Sequence, residues 1–360
     1  MTQKTQSIHC SDYTINIASI LASDFETFLS QNYTDSKKII FVDENTHEYC
    51  LEYLIANFEA LSDAEVIVLP AGEENKNIQT CIQVWEAFAE YHITRKDVAI
   101  CLGGGVITDM GGFIASLYKR GIDFIHVPTS LLAMVDASIG GKTAVDLANY
   151  KNMVGVFANP KAVFVDTAFL MTLPIEDKIG GWMEMLKHGL IADKSHWEEL
   201  KMIDFKEFEM PESFIVHSLE IKNTIVKADP FEENIRKSLN FGHTFGHAIE
   251  SLFLENRQTI NHGIAVGIGI VVESYWSWKK GLLEKEILDE ICTTIINKVS
   301  LPSLENVEAE HLWNFMKNDK KNEGEHVLAV LLSDIGVPQI NQEITIELLE
   351  EGLSFYRSID

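Results

Sequence analysis

Between residues 37 and 167 the chain sets five short β-rich runs among helical stretches, and no other feature narrows its fold so far. The runs are 38–42, 66–69, 98–102, 124–127 and 163–165. Apolar strands separated by helix-length segments predict a parallel sheet covered by helices on both faces. After Leu173-Pro174 the rhythm changes, and apolar residues recur three and four apart from 175 to about 317, the period of a helix. Residues 1–172 therefore read as an α/β, Rossmann-like nucleotide-binding domain. Residues 173–360 read as an all-helical, or mainly helical, metal- and substrate-binding domain. A chain of 360 residues is long enough for two cores. The crevice between two such domains is the default place for a site.

One strand runs straight into three glycines, Gly103-Gly104-Gly105, with a helix expected to start near Thr108 or Asp109, both good caps. Glycines there let the backbone approach a pyrophosphate, and a helix N-terminus offers it free N–H groups. A plain tight turn is the competing reading. The acidic residue expected some 20 positions after a Rossmann glycine loop has no clear counterpart. Asp43, closing the run 39–43, is placed to take ribose hydroxyls instead. Further on, Gly140-Gly141-Lys142-Thr143 ends like a phosphate-binding P-loop, but the first glycine of that motif would fall on Asp136. This argues against a nucleoside triphosphate. Lys142, Lys151 and Asn152 remain as donors for a phosphate or carboxylate, against the simpler reading of a solvated loop.

The segment 240–250 sets His243 and His247 four residues apart on an expected helix, so both imidazoles share one face. Glu184 and His188 repeat that spacing upstream, and His262 follows downstream. Spacing favours His243 with His247 and does not rank Glu184, His188 or His262 as third ligand. Two histidines and a carboxylate suit a catalytic zinc with an open position. His92, His126 and His196 have no partner at ligand spacing and read as structural.

Composition sets the outer limits. Cys10, Cys50, Cys81, Cys101 and Cys292 are scattered with no Cys-x-x-Cys pair, as expected of reduced, packed thiols. A net charge of -25 argues against nucleic acid or an anionic membrane as partner. It leaves room for a small anionic substrate, because a few lysines lining a pocket dominate within a Debye length of about 8 Å. The apolar run 263–272 is about half the roughly 18 residues a membrane span needs. The N-terminal residues carry no signal-type pattern. The expectation is a cytoplasmic protein.

Motif after motif then resembles one family, the 3-dehydroquinate synthases. The matches run in order through Leu69-Pro70-x-Gly72-Glu73, Gly103-Gly104-Gly105-Val106, Pro128-Thr129, Ser138-Ile139-Gly140-Gly141-Lys142-Thr143 and Lys151-Asn152. They continue through Glu184-x-x-Lys187, Leu239-Asn240-x-Gly242-His243-x-x-Gly246-His247 and Asp319-Lys320-Lys321. The resemblance implies a dehydroquinate synthase-like fold, NAD and one divalent metal ion, zinc or cobalt. It implies metal ligands Glu184, His243 and His262, with His247 and His188 outside the coordination sphere. For NAD it implies Asp43, Glu73, Lys76, Gly104, Gly105, Val106, Asp109, Thr129, Ser130, Asp136, Lys142 and Lys151. Around a sugar-acid phosphate it implies Lys142, Lys151, Asn152, Lys187, Lys222, Arg236, Asn240, His247, Lys320 and Lys321, with Arg120 reaching across a homodimer interface. The implied reaction closes 3-deoxy-D-arabino-heptulosonate 7-phosphate into 3-dehydroquinate with loss of phosphate. Rival readings are a sedoheptulose 7-phosphate cyclase and a metal-dependent polyol dehydrogenase. The chain departs from the family pattern at Ser130, Trp182-Met183, Asn234 and Ile264.

Overall fold

The computed structural model describes residues 6–148, 150–205, 210–317 and 326–359. It divides the chain into two compact units, Met1–Pro174 and Ile175–Asp360.

The first unit is built on a seven-stranded sheet. Its strands are β1 (Gln6–His9), β2 (Thr14–Ile17), β3 (Lys38–Asp43), β4 (Glu65–Leu69), β5 (Val98–Gly103), β6 (Asp123–Pro128) and, after a hairpin, β9 (Ala162–Val165). They lie in the order β1-β2-β9-β6-β5-β3-β4, all parallel except the β1–β2 pair. β5 is buried along its whole length and β3 along all but its last residue, as expected of strands covered on both faces. Their apolar runs Lys-Ile-Ile-Phe-Val and Val-Ala-Ile-Cys-Leu supply Ile39, Phe41, Ala99 and Cys101 to a core shared with Ile107, Met110 and Phe113 of the helix Gly105–Leu117.

The chain leaves β3 for β4 on one side and returns to β5 on the other. The carboxyl ends of β3 and β5 therefore flank the point where the winding reverses, the usual ligand crevice of such sheets. The segment read above as a lysine-bearing loop is instead an antiparallel hairpin, β7 (Lys142–Leu147) with β8 (Tyr150–Phe157). It lies on the helix Gly105–Leu117 so closely that a Cβ on Gly112 would sit 2.6 Å from Thr143 Cγ2.

The second unit carries the expected helices, among them Ile175–Ala192, Lys194–Leu200, Glu212–Ala228, His243–Glu255, His262–Lys279 and Lys285–Ile296. The all-helical expectation needs one correction, a second hairpin formed by β10 (Val327–Asp334) and β11 (Val337–Ile344). Its inner strand Val-Leu-Ala-Val-Leu-Leu is largely buried, and Gly336 makes the turn at φ 88°. Ser277 Oγ accepts from Leu332 N at 2.9 Å, tying the hairpin to the helix His262–Lys279. All five cysteines are free and four are buried. Among the described residues no helix is long and apolar enough to cross a membrane.

Candidate active site

In the first unit the candidate cofactor residues gather at the carboxyl ends of the parallel strands. The helix after β5 starts at Gly105 with Gly104 as its cap, three or four residues earlier than the Thr108 or Asp109 expected. Thr108 lies inside the first turn, with Oγ1 donating back to Gly105 O at 3.1 Å. Extended Gly104 needs no side-chain cap there, and added atoms would have little room. A Cβ on Gly104 would press on Ser130 Oγ at 3.3 Å, and one on Gly105 on Ala137 Cβ at 3.4 Å. The bare backbone thus lies under the loop carrying Thr129, Ser130 and Asp136, the cradle a dinucleotide needs. Thr129 N donates to Gly103 O at 3.0 Å, fixing that loop to the strand end. Asp43 ends β3 and caps the next turn, its Oδ1 accepting from Thr46 N at 2.7 Å.

Lys76 organises the floor. Its buried ammonium donates to Asp109 Oδ2 at 2.7 Å and Asn152 Oδ1 at 2.6 Å, with Glu73 Oε1 at 3.7 Å. Burial works against that charge, but Asp109, Glu73 and Asp146 outweigh it and hold the amine above the usual lysine range. Lys151 pairs with Glu73 at 3.2 Å. Asn152 adopts φ 52°, a left-handed conformation that asparagine tolerates, and its N–H donates to Asp146 Oδ1 at 2.7 Å. Asp146, absent from the sequence reading, closes the ring by donating its own N–H to Lys76 O at 2.8 Å. Burial pushes its carboxyl up to about 6 against the pull of Lys76. Lys142 opens β7 half-buried. Arg120 stands exposed on the turn after the glycine-loop helix, at φ 67°.

The second unit brings Glu184, His243 and His262 together, one ligand atom of each lying within 4.8 Å of the others. Glu184 sits fully buried on the helix Ile175–Ala192, and its Oε1 is 3.5 Å from His243 Nε2 and 3.4 Å from His262 Nε2. Both histidines are the first residues of their helices. Each is turned by its other nitrogen: His243 Nδ1 lies 3.1 Å from Phe241 O, and His262 Nδ1 3.0 Å from Glu250 Oε1. Donation through Nδ1 leaves both Nε2 atoms facing the carboxylate, the tautomer and orientation a metal ligand needs. Burial opposes charging of His262, but Glu250 and Glu184 prevail and push it up to about 10. A cavity that draws a proton onto an imidazole between two carboxylates has the charge to hold a divalent cation in its place. His247, favoured on spacing, is not one of these three; its ring centroid lies 5.3 Å from that of His243 and 6.2 Å from that of His262.

Two glycines and an acid set this corner. Gly242 turns at φ 80°, and a Cβ there would lie 2.9 Å from Val266 O, so the helices His243–Glu255 and His262–Lys279 meet backbone to backbone. Gly246 makes the same approach to Ala265 O. Glu273, fully buried on the second helix, caps the first. It accepts from Gly242 N at 2.7 Å, Thr244 N at 2.9 Å and Phe245 N at 3.1 Å. The sequence reading missed it, although a lone acid in the apolar stretch 263–277 was the available signal.

Cationic groups complete the second unit. Lys187, one turn from Glu184, forms a buried ion pair with Glu184 Oε2. Lys222 is buried on the helix Glu212–Ala228. Arg236, 2% exposed, follows a loop held by Asp229, whose oxygens accept from the N–H groups of Glu233, Asn234 and Arg236 at 3.0, 2.7 and 3.0 Å. Asn240 donates to Glu232 Oε1 at 2.8 Å. Trp182 points away from Glu184 to donate to Leu200 O at 3.0 Å, and Met183 packs on Gly267, so these departures from the family pattern fill core rather than site. His126 and His196 are both buried. Lys320 and Lys321 lie outside the described residues.

Residues 66–179 match the family described as 3-dehydroquinate synthase N-terminal, and 181–322 match 3-dehydroquinate synthase C-terminal. The 3-dehydroquinate synthase of Parabacteroides distasonis is 39% identical over 96% of this chain and 98% of its own. That of Clostridium botulinum is 40% identical over 90% of this chain and 93% of its own. A crystal structure of 2-deoxy-scyllo-inosose synthase complexed with carbaglucose-6-phosphate, NAD+ and Co2+ matches with a TM-score of 0.82 at 25% identity, covering 97% of this chain and 99% of that one. The chain belongs to the 3-dehydroquinate synthase family.

Proposed function

We propose that this chain is a carbon-oxygen lyase that converts 3-deoxy-D-arabino-heptulosonate 7-phosphate to 3-dehydroquinate and phosphate, using NAD and one divalent ion, zinc or cobalt. The observation that carries the reading is the grouping of Glu184, His243 and His262, with Lys187 paired to the same carboxylate. When bound, the ion would supply Lewis acidity at a substrate hydroxyl and NAD would supply reversible hydride acceptance, the chemistry that loss of phosphate and ring closure require.

The chain's own residues bind, orient and neutralise. Glu184, His243 and His262 would hold the ion, with Phe241 O and Glu250 fixing the two rings. Gly104, Gly105 and Val106 would carry the pyrophosphate, with Asp43, Glu73, Lys76, Asp109, Thr129, Ser130 and Asp136 around the rest of NAD. Lys142, Lys151, Asn152, Lys187, Lys222, Arg236, Asn240 and His247 would receive the substrate, and their cationic character suits one bearing both carboxylate and phosphate. Arg236, rigid on its Asp229-capped loop, suits the carboxylate. Because NAD is regenerated each turnover, the protein's share of catalysis is positioning and electrostatics. We place Arg120 at a homodimer contact and the enzyme in the cytoplasm.

The test is phosphate release from that substrate by the purified protein with NAD and zinc, with NADH absorbance followed in parallel. Phosphate without NADH build-up is expected. Release only from sedoheptulose 7-phosphate would move the chain to the sugar cyclases, and steady NADH accumulation would make it a polyol dehydrogenase. Glu184→Ala and His243→Ala are each expected to lose bound metal and activity together; full activity at unchanged metal content would sink the ligand assignment.

A further inference from the structure

A second cluster of ligating side chains lies where the helix Lys194–Leu200 meets the helix Glu212–Ala228. His196 and Glu199 stand three residues apart on the first helix and so share a face. His217 comes from the second helix. One ligand atom from each of the three lies within 4.8 Å of the others, and the two imidazole centroids are 4.3 Å apart. None of these residues belongs to the site described above.

The hydrogen bonding of His196 is incomplete. Its Nε2 lies 2.8 Å from Ser218 Oγ, whereas its Nδ1 is buried with no hydrogen-bond partner among the described residues, in a residue with 0% exposure. Leaving a buried ring nitrogen unmatched is costly, and native structures leave few such groups unexplained. Burial, helped by the neighbouring His217 and His188, drives this imidazole down to about 3, so it is neutral near pH 7. The tautomer that donates from Nε2 to Ser218 Oγ puts the lone pair on Nδ1.

His217 is oriented from behind. Its Nε2 lies 3.0 Å from Asp193 Oδ2, while Asp193 Oδ1 caps the first helix by accepting from Ser195 N and His196 N at 2.8 and 3.1 Å. A carboxylate on one nitrogen of a histidine fixes the ring and leaves the other nitrogen to ligate a metal. Glu199 is exposed and gives the cluster an open side. Two imidazoles and one carboxylate suit a borderline divalent ion of the zinc, cobalt or nickel kind, with positions left for water, and suit calcium or magnesium poorly.

We propose that His196, Glu199 and His217 form a second divalent-cation site, oriented by Asp193 and built from residues distinct from Glu184, His243 and His262. An ion there would staple the two helices together without taking part in turnover. The sequence hides the site because only Glu199 is close to His196 along the chain, and the second imidazole arrives from another helix.

The experiment compares Co2+ content and visible absorption of the full, tag-free chain after dialysis with those of a Glu199→Gln/His217→Ala double variant. The double variant is expected to hold one Co2+ fewer per chain while turnover stays unchanged. Glu199→Gln alone, an exposed change that spares folding, is expected to weaken that binding by about tenfold or more. Equal metal content in wild type and double variant would overturn the proposal. So would metal loss accompanied by loss of activity, because the missing ion would then belong to the Glu184 centre.

Discussion

A single buried imidazole shows how the folded chain reads pH. His126 lies in β6 beside Phe124, and burial takes it from its ordinary value of 6.5 down to about 3. The unfolded chain binds this proton near 6.5, whereas the folded chain refuses it until about 3, so stability is complete above the upper value and falls as pH drops through the window. His126→Gln is expected to flatten that acid limb, read from urea midpoints at about pH 4.5 and about pH 7. Arg236 belongs to the substrate site proposed above. Arg236→Ala is expected to raise KM while leaving NAD affinity unchanged, and an equal loss of both would misplace the carboxylate site. Single residues were also where spacing reached its limit. An interval of four puts His243 and His247 on one face, but it does not say which ring Phe241 O and Glu250 turn towards Glu184.

At the scale of elements, legibility followed burial. The runs at β3, β5, β6 and β9 were readable because strands covered on both faces must be continuously apolar; β4, at the sheet edge with Val68 exposed, was readable from its apolar run alone. β1 and β2 were not read: they are short, and β1 is mostly exposed. The β7–β8 hairpin passed for a loop because its glycines and lysines resemble one, and its order comes from packing on Gly112 and from the Lys76, Asp146 and Asn152 ring. The junction of the helices His243–Glu255 and His262–Lys279 depends on Glu273, whose three backbone acceptances satisfy N–H groups that a helix start leaves open. Glu273→Gln keeps the shape and removes the charge. It is expected to cost about 2 kcal/mol of stability, seen as a lower urea midpoint at unchanged m-value, together with weaker metal retention.

Across the whole molecule, the proposed NAD and metal residues fall in different units, and that division makes a paired expectation. Gly105→Val would push a side chain into the loop at Ala137 and is expected to abolish NAD binding with metal content kept. Glu184→Ala is expected to do the reverse, both read by equilibrium dialysis and metal analysis. If each change removed both ligands, the two units would not bind independently. The Glu273 cap bears on chain connectivity as well. Glu273 and His262 share one helix, and Glu273 grips the start of the other, where His243 stands; the spacing of the two imidazoles is thus set through that clamp and not by the residues joining the helices. Asn261 stays tied down, donating to Asp177 Oδ1 at 2.8 Å. The link at 256–260 bears no such load, and loop length there costs little. One or two residues inserted after Arg257 should leave the metal corner intact, so this is where relatives can differ in length without losing their chemistry.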